Sequence, residues 1–251
     1  MSITDLLLVL IGSGLAGMIN TLAGSGSAIT LTLLMEVLGL PPLIANATNR
    51  VGIFTQSAAG SYAFYRKGKL DVSRSKTYLL FTVLGAIAGV LVSIKIDGDT
   101  FREIFKYLML ILLTVILVRP QRWLRETDLD YILSKRWSIP LSVALGFYGG
   151  FIQMGMGVFF LVIMVLIARY SLTDANAVKL AVVTIYTGLA LLIFHFQSLI
   201  DWKFGLLMAI GQTIGGYLTA NFAAQSPQAN LWAHRILVVV VIAAIIRLFF
   251  T

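Results

Sequence analysis

The chain has 251 residues, of which 59% are hydrophobic and 12% charged, with a formal net charge of +8 and no Cys. Ordinary soluble domains carry about a quarter charged residues, and a soluble domain of this size has too little interior to bury so much apolar surface. The composition excludes a disordered chain, a disulfide scaffold and a soluble enzyme. It predicts an integral membrane protein.

Four stretches of more than 20 residues contain no Asp, Glu, Lys or Arg. They cover residues 6–35, 137–168, 180–200 and 204–233. Because a helix of about 20 apolar residues crosses the hydrocarbon, each stretch is long enough for a span or a pair of part-spans. Charged residues concentrate instead at 66–76, which holds six, and at 119–136, which holds eight.

The apolar runs and the residues that interrupt them predict eight hydrophobic segments. In chain order these cover about residues 4–39, 44–65, 77–95, 104–118, 139–168, 175–196, 203–224 and 231–250. The first segment lacks a basic leading region and stays apolar past any cleavage site, so we expect no signal peptide. It would be about 54 Å long as one straight helix, and Gly residues interrupt both it and the fifth segment. The predicted fold is an all-α polytopic membrane bundle.

Two patches of sequence occur twice, in the same order. Gly-Ser-Gly at 24–26 aligns with Gly-Met-Gly at 155–157 at an offset of 131, and Ala-Asn-Ala at 45–47 aligns with 175–177 at an offset of 130. Small residues are common in membrane helices, so chance similarity is the alternative, and we favour duplication. Interrupted segments at corresponding positions of two halves indicate the binding site of a transporter.

The duplication predicts a first four-segment repeat at 1–118, a basic linker at 119–136 and a second repeat at 137–251. Because cytoplasmic loops are enriched in Lys and Arg, the linker and the loop at 66–76 are expected in the cytoplasm. The sequence leaves open whether each broken segment crosses the membrane or turns back, and hence whether the repeats are parallel or inverted. Basic residues at 169 and 179 favour a segment that turns back and repeats that are inverted.

No motif in the sequence is typical of catalysis. The two His residues stand near segment ends and outside any metal-ligand spacing, and no nucleotide-binding loop is present. We therefore predict no catalytic residue, no cofactor and no resident metal. The basic residues lie in loops rather than on one face, which argues against a nucleic-acid partner, and small-residue helix faces permit a homodimer without requiring one.

The breaks themselves carry the functional prediction. A helix interrupted in the membrane leaves unpaired backbone N–H groups, the resumed half-helix carries about +0.5 charge at its N-terminus, and Gly lets a ligand approach closely. Together these features predict an anion site. The predicted substrate-binding residues are Asn20, Gly24, Ser25, Gly26, Gln153, Gly155 and Gly157 at the breaks, and Asn46, Asn49, Arg50, Asn176 and Lys179 in the helices that follow.

Structural roles are the alternative for several of these residues. Polar side chains at the first break, Thr21 and Ser27 above all, can cap the half-helices. Arg50 and Lys179 can extend to the lipid headgroups, and the two Asn residues between Ala can be helix N-caps. An N-cap role for these Asn residues would explain neither the Ala on both sides of each Asn nor the basic residues that follow them.

The residues at 16–27, followed by Ala-Asn-Ala-Thr-Asn-Arg-Val at 45–51, resemble the TauE/SafE family. The Gly-rich second break, followed by Asp-Ala-Asn-Ala-Val-Lys at 174–179, is similar to the same family. The resemblance covers nearly the whole chain and implies a bacterial inner-membrane permease that moves sulfite, sulfonates or related organosulfur anions, often outward. The second break departs from the most Gly-dense family form, with Gln153, Met154 and Met156 among its glycines.

The resulting hypothesis is a transporter, in the family's usual direction an exporter, that works by alternating access around an anion site at the midplane. Two alternatives stay open: a transporter or channel for a carboxylate or metal cation, and a membrane assembly factor that transports nothing. A cation pathway should place acidic residues within the spans. The predicted segments contain essentially one candidate, Glu36, which lies near a segment end.

Overall fold

The structure, a computed structural model, describes residues 3–66, 68, 70, 72–117, 133–222 and seven positions near the C-terminus (235, 238, 239, 241, 242, 245 and 246). This part contains helices and no strand, which confirms the predicted all-α fold. The helices are α1 (Ile3–Ala23), α2 (Gly26–Thr32), α3 (Pro42–Arg66), α4 (Val72–Ser93), α5 (Gly98–Leu117), α6 (Lys135–Phe151), α7 (Met156–Leu161), α8 (Leu172–Phe196) and α9 (Trp202–Phe222). Most of the predicted linker and of the last predicted segment lies outside the described residues.

Three helices begin four or more residues before their predicted starts, among them α4, which begins at Val72 instead of about residue 77. Helix α5 begins at Gly98, six residues before the predicted start, because the Asp97 carboxylate accepts a hydrogen bond from the backbone N–H of Thr100 at 2.9 Å. Asp97 is therefore an N-cap. It lies in a stretch whose mixed charges predict a loop. Helix α6 begins at Lys135, inside the predicted linker.

Both broken segments turn back. A Cβ atom added to Gly26 would overlap the backbone carbonyl of Ala16, and one added to Gly12 would lie 2.8 Å from Leu33 Cδ2, so α2 runs antiparallel along α1. In the second half, Tyr148 of α6 packs edge-on against Phe159 of α7, with ring centroids 5.1 Å apart. The first and fifth predicted segments are therefore helical hairpins, named hairpin 1 (α1–α2) and hairpin 2 (α6–α7).

Left-handed glycines make the two turns. Gly24 has φ +74° and Gly155 has φ +66°, a conformation that costs an L-residue roughly 1–2 kcal/mol. Helices α2 and α7 then each continue into a short π-helical turn, Leu33–Val37 and Val162–Ile167. Turns of π-helix are rare in proteins, and those that occur are often found at functional sites.

The two halves repeat this order with constant spacing. Helices α3 and α8 both have 25 residues and begin 130 positions apart, at Pro42 and Leu172. The left-handed residues after the π-helical turns, Gly39 and Arg169, have the same spacing. The first helix of each half packs against the fourth helix of the other, α1 on α9 and α6 on α4, while α3 and α8 pack on each other. This reciprocal packing of the first and fourth helices is the arrangement that a twofold axis relating the two halves would produce.

Glycines allow these contacts between halves. A Cβ atom on Gly146 of α6 would overlap the carbonyl oxygen of Thr82 in α4, and one on Gly150 would overlap that of Ala86. Between α1 and α9, a Cβ atom on Gly17 would overlap the carbonyl of Gln212. Small residues let membrane helices approach to backbone contact, and here the small-residue faces are used within the chain.

Three of the described helices are long and apolar enough to cross a membrane. The qualifying stretches are Thr4–Thr21, Lys76–Ser93 and Asp174–Phe196. Gly26–Val37 and Met156–Val165 are shorter apolar helices, as expected for the returning arms of hairpins. Large apolar side chains such as Leu84, Leu192 and Ile214 are exposed on the outer surface, where a bilayer solvates them.

We predict that Gly146→Ala destabilises the folded protein by about 1–3 kcal/mol, the usual range for overpacking, because the added methyl group meets the α4 backbone. Gly98→Ala is the matched control, since its Cβ atom would lie at an ordinary 3.7 Å from Pro42. Thermal unfolding in detergent measures both variants. Equal melting temperatures would contradict the interpretation of the α4–α6 contact.

Candidate functional site

The tips of the two hairpins touch at the centre of the bundle. A Cβ atom on Gly24 would lie 2.7 Å from the carbonyl carbon of Gly157, and one on Gly157 would overlap the carbonyl oxygen of Gly24. Ser27 Oγ donates a hydrogen bond across the contact to the backbone oxygen of Gln153 at 3.2 Å. The two predicted breaks therefore lie at one place.

Arg50 of α3 is fully buried beside these tips. Its Nη1 donates to the backbone oxygen of Gly149 at 3.1 Å, and its Nη2 donates to that of Gly150. Asn46, one turn earlier, donates from Nδ2 to the oxygen of Phe151 at 2.9 Å. These are the last carbonyl groups of α6, which have no partner within their own helix. Helix α3 of one half thus caps the broken helix of the other.

The guanidinium group also has an aromatic neighbour and a link to hairpin 2. Its Cζ lies 5.2 Å from the centre of the Phe194 ring. Gln153 Oε1 accepts a hydrogen bond from the Tyr186 hydroxyl at 2.7 Å and a long one from Arg50 Nη1 at 3.5 Å. Gln153 has φ +63°, and its two side-chain contacts hold this strained residue at the tip.

Three buried hydrogen-bond donors near the tip of hairpin 1 have no partner within the described part of the chain. They are Ser25 Oγ, Asn49 Nδ2 and Arg50 Nε. The Asn49 Oδ1 atom accepts from Thr30 Oγ1 of α2 at 2.6 Å, which fixes the direction of the amide group. A buried donor without an acceptor costs about 1–3 kcal/mol. A bound group that carries several acceptor oxygens would recover that free energy.

The electrostatic balance at the tips is positive. The N-termini of α2 and α7 and the C-termini of α1 and α6 meet here, and partial charges of about half a unit at each end nearly cancel. Arg50 adds a full positive charge, and the described residues give it no ion pair. Glu36, the acidic residue that the sequence prediction considered for a cation pathway, pairs with Arg102 at 2.7 Å. Among the described residues no three His, Cys, Asp or Glu side chains are grouped to hold a metal.

Asn176 and Lys179 lie away from this cluster. Lys179 Nζ donates to Asn176 Oδ1 at 2.8 Å. The next residue, Leu180, packs against Gly60 of α3, which is ten residues beyond Arg50 and hence about 15 Å along the helix. The structure therefore divides the predicted substrate-binding residues into two groups.

Other predicted residues have structural contacts. Asn20 Nδ2 donates to Gln56 Oε1 at 3.0 Å, and Thr21 Oγ1 donates to the oxygen of Gly17 at 2.9 Å. Neither Asn46 nor Asn176 is an N-cap, since α3 and α8 each begin four residues earlier. Ser171 caps α8 instead, by accepting from the backbone N–H of Asp174 at 3.0 Å.

Polar residues in the middle of α3 and α8 were not among those predicted from the sequence. Gln56 donates to the carbonyl oxygen of Gly17 at 2.8 Å, and Tyr186, 130 positions later, holds Gln153. Thr30, which orients Asn49, was missed as well. A polar side chain in the middle of an apolar helix is the signal that could have identified Gln56.

The chain matches a known protein family along most of its length. The sequence profile of the family described as "Sulfite exporter TauE/SafE" matches residues 9–248. The chain belongs to the TauE/SafE family. It is therefore a membrane transporter homologue, and the resemblance based on residues 16–27 and 45–51 is confirmed.

Similar proteins carry transporter names. "Probable membrane transporter protein ORF9" of Sinorhizobium sp is 27% identical over 238 residues, 93% of this chain and 88% of that protein. "Probable membrane transporter protein YfcA" of Escherichia coli (strain K12) is 27% identical, over 92% of this chain and 85% of that protein. A "Probable membrane transporter protein" of Haemophilus influenzae is 30% identical, over 86% and 85%. No solved structure matches the chain.

We predict that Arg50→Lys lowers the free energy of unfolding by about 1–3 kcal/mol in the absence of any ligand. A single ammonium group cannot reproduce the fork that binds two neighbouring carbonyls. The matched control is Arg102→Lys, whose ion pair with Glu36 is on a half-exposed side chain and is worth less than about 1 kcal/mol. Chemical or thermal unfolding compares the two, and a loss no greater in Arg50→Lys than in Arg102→Lys would refute the capping role.

Proposed function

We propose that this chain is a multi-pass transporter of the bacterial inner membrane that moves a small sulfur-containing oxyanion such as sulfite or a sulfonate. The observation that carries the proposal is the set of three unpaired buried donors, Ser25 Oγ, Asn49 Nδ2 and Arg50 Nε, beside hairpin tips of net positive charge. Within this proposal the chain has no catalytic step.

An oxyanion fits these donors better than a cation does. Its oxygens accept several hydrogen bonds, and charge-assisted hydrogen bonds are roughly twice as strong as neutral ones. The argument for an anion is thus physical. The argument for sulfur rests on the family description, which names a sulfite exporter.

The same proposal includes inverted repeats, at 1–118 and 137–251. A hairpin returns the chain to its starting side, and three further spans then carry it to the other side, so the second half begins opposite to the first. Contacts support the two faces: the Glu36–Arg102 ion pair joins the end of hairpin 1 to the start of α5, and Tyr78 packs on Tyr170 at 5.8 Å on the other face. The end of α3 and the start of α4, which flank or contain the basic stretch at 66–76, belong to that second face, so we assign it to the cytoplasm.

Transport in this scheme requires the two hairpins to separate. Backbone contact between Gly24 and Gly157 closes the centre in the present conformation. Alternating access around a site at the repeat interface would open one face at a time, and the family description supports outward movement as the physiological direction.

We predict that Ser25→Ala raises the Kd for sulfite about tenfold, which corresponds to about 1.4 kcal/mol. The matched control is Ser142→Ala, because Ser142 Oγ is also buried and unpaired but lies on α6 far from the tips. Ligand-induced thermal stabilisation of the purified protein in detergent measures the Kd.

The same assay includes sulfate, taurine, acetate and divalent cations as test ligands. Stabilisation of the wild type by sulfite, reduced in Ser25→Ala and retained in Ser142→Ala, supports the proposal. Stabilisation by acetate or a divalent cation with no response to any sulfur anion would refute the sulfur substrate. Equal sulfite affinity in both variants would show that the sulfite-binding site does not include Ser25.

A further inference from the structure

Lys179 is a second buried cation that the site at the hairpin tips does not use. Its exposed fraction is 4%, and its one hydrogen bond within the described residues is to the neutral Asn176 amide. An ammonium group has three N–H donors. A buried charge without a counter-charge costs several kcal/mol, so this position favours an anionic partner.

Lys179 faces the inside of the bundle. Along α8 it shares the buried face with Val182 and Tyr186, whereas Ile185 and Leu192 on the other side are exposed. Its neighbour Val178 belongs to the same apolar cluster as Met156 and Phe160 of hairpin 2. The ammonium group is therefore enclosed by protein and does not lie among the lipid-facing side chains.

The position of Lys179 connects it with the hairpin tips. Tyr186 lies seven residues further along the same face of α8, about 10 Å away, and its hydroxyl contacts Gln153 at the tips. In the other direction, α8 begins beside the face that carries the loop at 66–76, where Tyr170 packs on Tyr78. Lys179 thus stands between that face and the central site.

The equivalent positions of the two halves add a further argument. The residue 130 positions before Lys179 is Asn49, which provides one of the unpaired donors at the tip of hairpin 1. Helix α8 packs on hairpin 2 as α3 packs on hairpin 1. The second half therefore presents a donor to its own hairpin at the corresponding place, and this donor is charged.

We propose that Lys179 and Asn176 form a second anion-binding station, separate from the Arg50 site and nearer to the face that bears the basic loop. The proposal rests on the proposed function, because the ligand is the same small oxyanion. The neighbouring residue Leu180 packs at the level of Gly60, about 15 Å of helix rise beyond Arg50, so a small oxyanion contacts one cation at a time and binds at the two places in succession.

The test is the initial rate of labelled sulfite uptake by inside-out and right-side-out membrane vesicles, which present opposite faces of the protein. We expect Lys179→Gln to raise the KM about tenfold or more from the basic-loop face and less than about twofold from the other face. Lys179→Arg should retain a KM close to the wild type. Lys203→Gln, at an exposed lysine of α9, is the control and should change neither value.

Each result decides between distinct conclusions. Saturable wild-type uptake with an unchanged KM from both faces in Lys179→Gln would overturn the station and leave the proposed function intact. An equal rise from both faces would overturn it as well, because it would indicate one shared site. No saturable sulfite uptake by the wild type would overturn the proposed function itself.

A second variant covers a failure of Lys179→Gln to fold, as judged by gel filtration and thermal unfolding. Asn176→Ala keeps the charge but removes the amide that holds the ammonium group. We expect it to raise the KM about threefold, again from the basic-loop face only. A rise from neither face in this variant would overturn the station.

Discussion

Helices that end inside a membrane leave carbonyl groups that cannot reach water, and each must find a donor within the protein. In this chain the donors for α6 come from the other half. Arg50 and Asn46 of α3 bind the carbonyl oxygens of Gly149, Gly150 and Phe151. This requirement brings α3 against hairpin 2, and so it places a fully buried arginine at the point where the two hairpins meet.

Close packing of α6 on α4 sets where the capped end of α6 lies. Glycines let the backbones of these two helices touch, and this contact positions the carbonyl groups that Arg50 and Asn46 bind. Gly85, Gly146 and Gly150 each face a backbone carbonyl of the opposite helix. Packing by glycine and capping by α3 are therefore two parts of one arrangement. A change in either one should loosen hairpin 2.

Much of this could be predicted from the sequence. The paired Gly patches located both breaks, and the Asn-Ala-Thr-Asn-Arg stretch located residues that do lie at the tips. The turning back of the hairpins was left open, because a left-handed glycine such as Gly24 begins a crossing and a return equally well. The capping role of Arg50 could not be predicted, since its partner Gly149 is 99 residues away in the chain and sequence spacing gives no distance between α3 and α6.

The prediction of the substrate-binding residues, which stays a prediction, treated corresponding residues of the two repeats as members of one site. Arg50 and Lys179 stand almost at matching positions of their halves, yet a twofold axis through the bundle puts matching positions on opposite sides of the centre. Only residues near the axis can approach the equivalent part of the other half, as Gly24 approaches Gly157, the counterpart of Gly26. Duplication therefore brings the tips together and separates the residues behind them.

The two halves also differ in what their cations do. Arg50 has both Nη atoms engaged by carbonyl oxygens and keeps only Nε unpaired, so its charge is fixed in place by the backbone of hairpin 2. Lys179 is held by one amide on its own helix and can turn toward a ligand through a flexible stem. Arg50 is a fixed charge at the centre and Lys179 is an adjustable charge nearer to one face. This difference would set the order in which an anion meets the two residues. In the proposed scheme, an anion that reaches Lys179 first is attracted inward, and opening of the hairpin tips then determines when it passes.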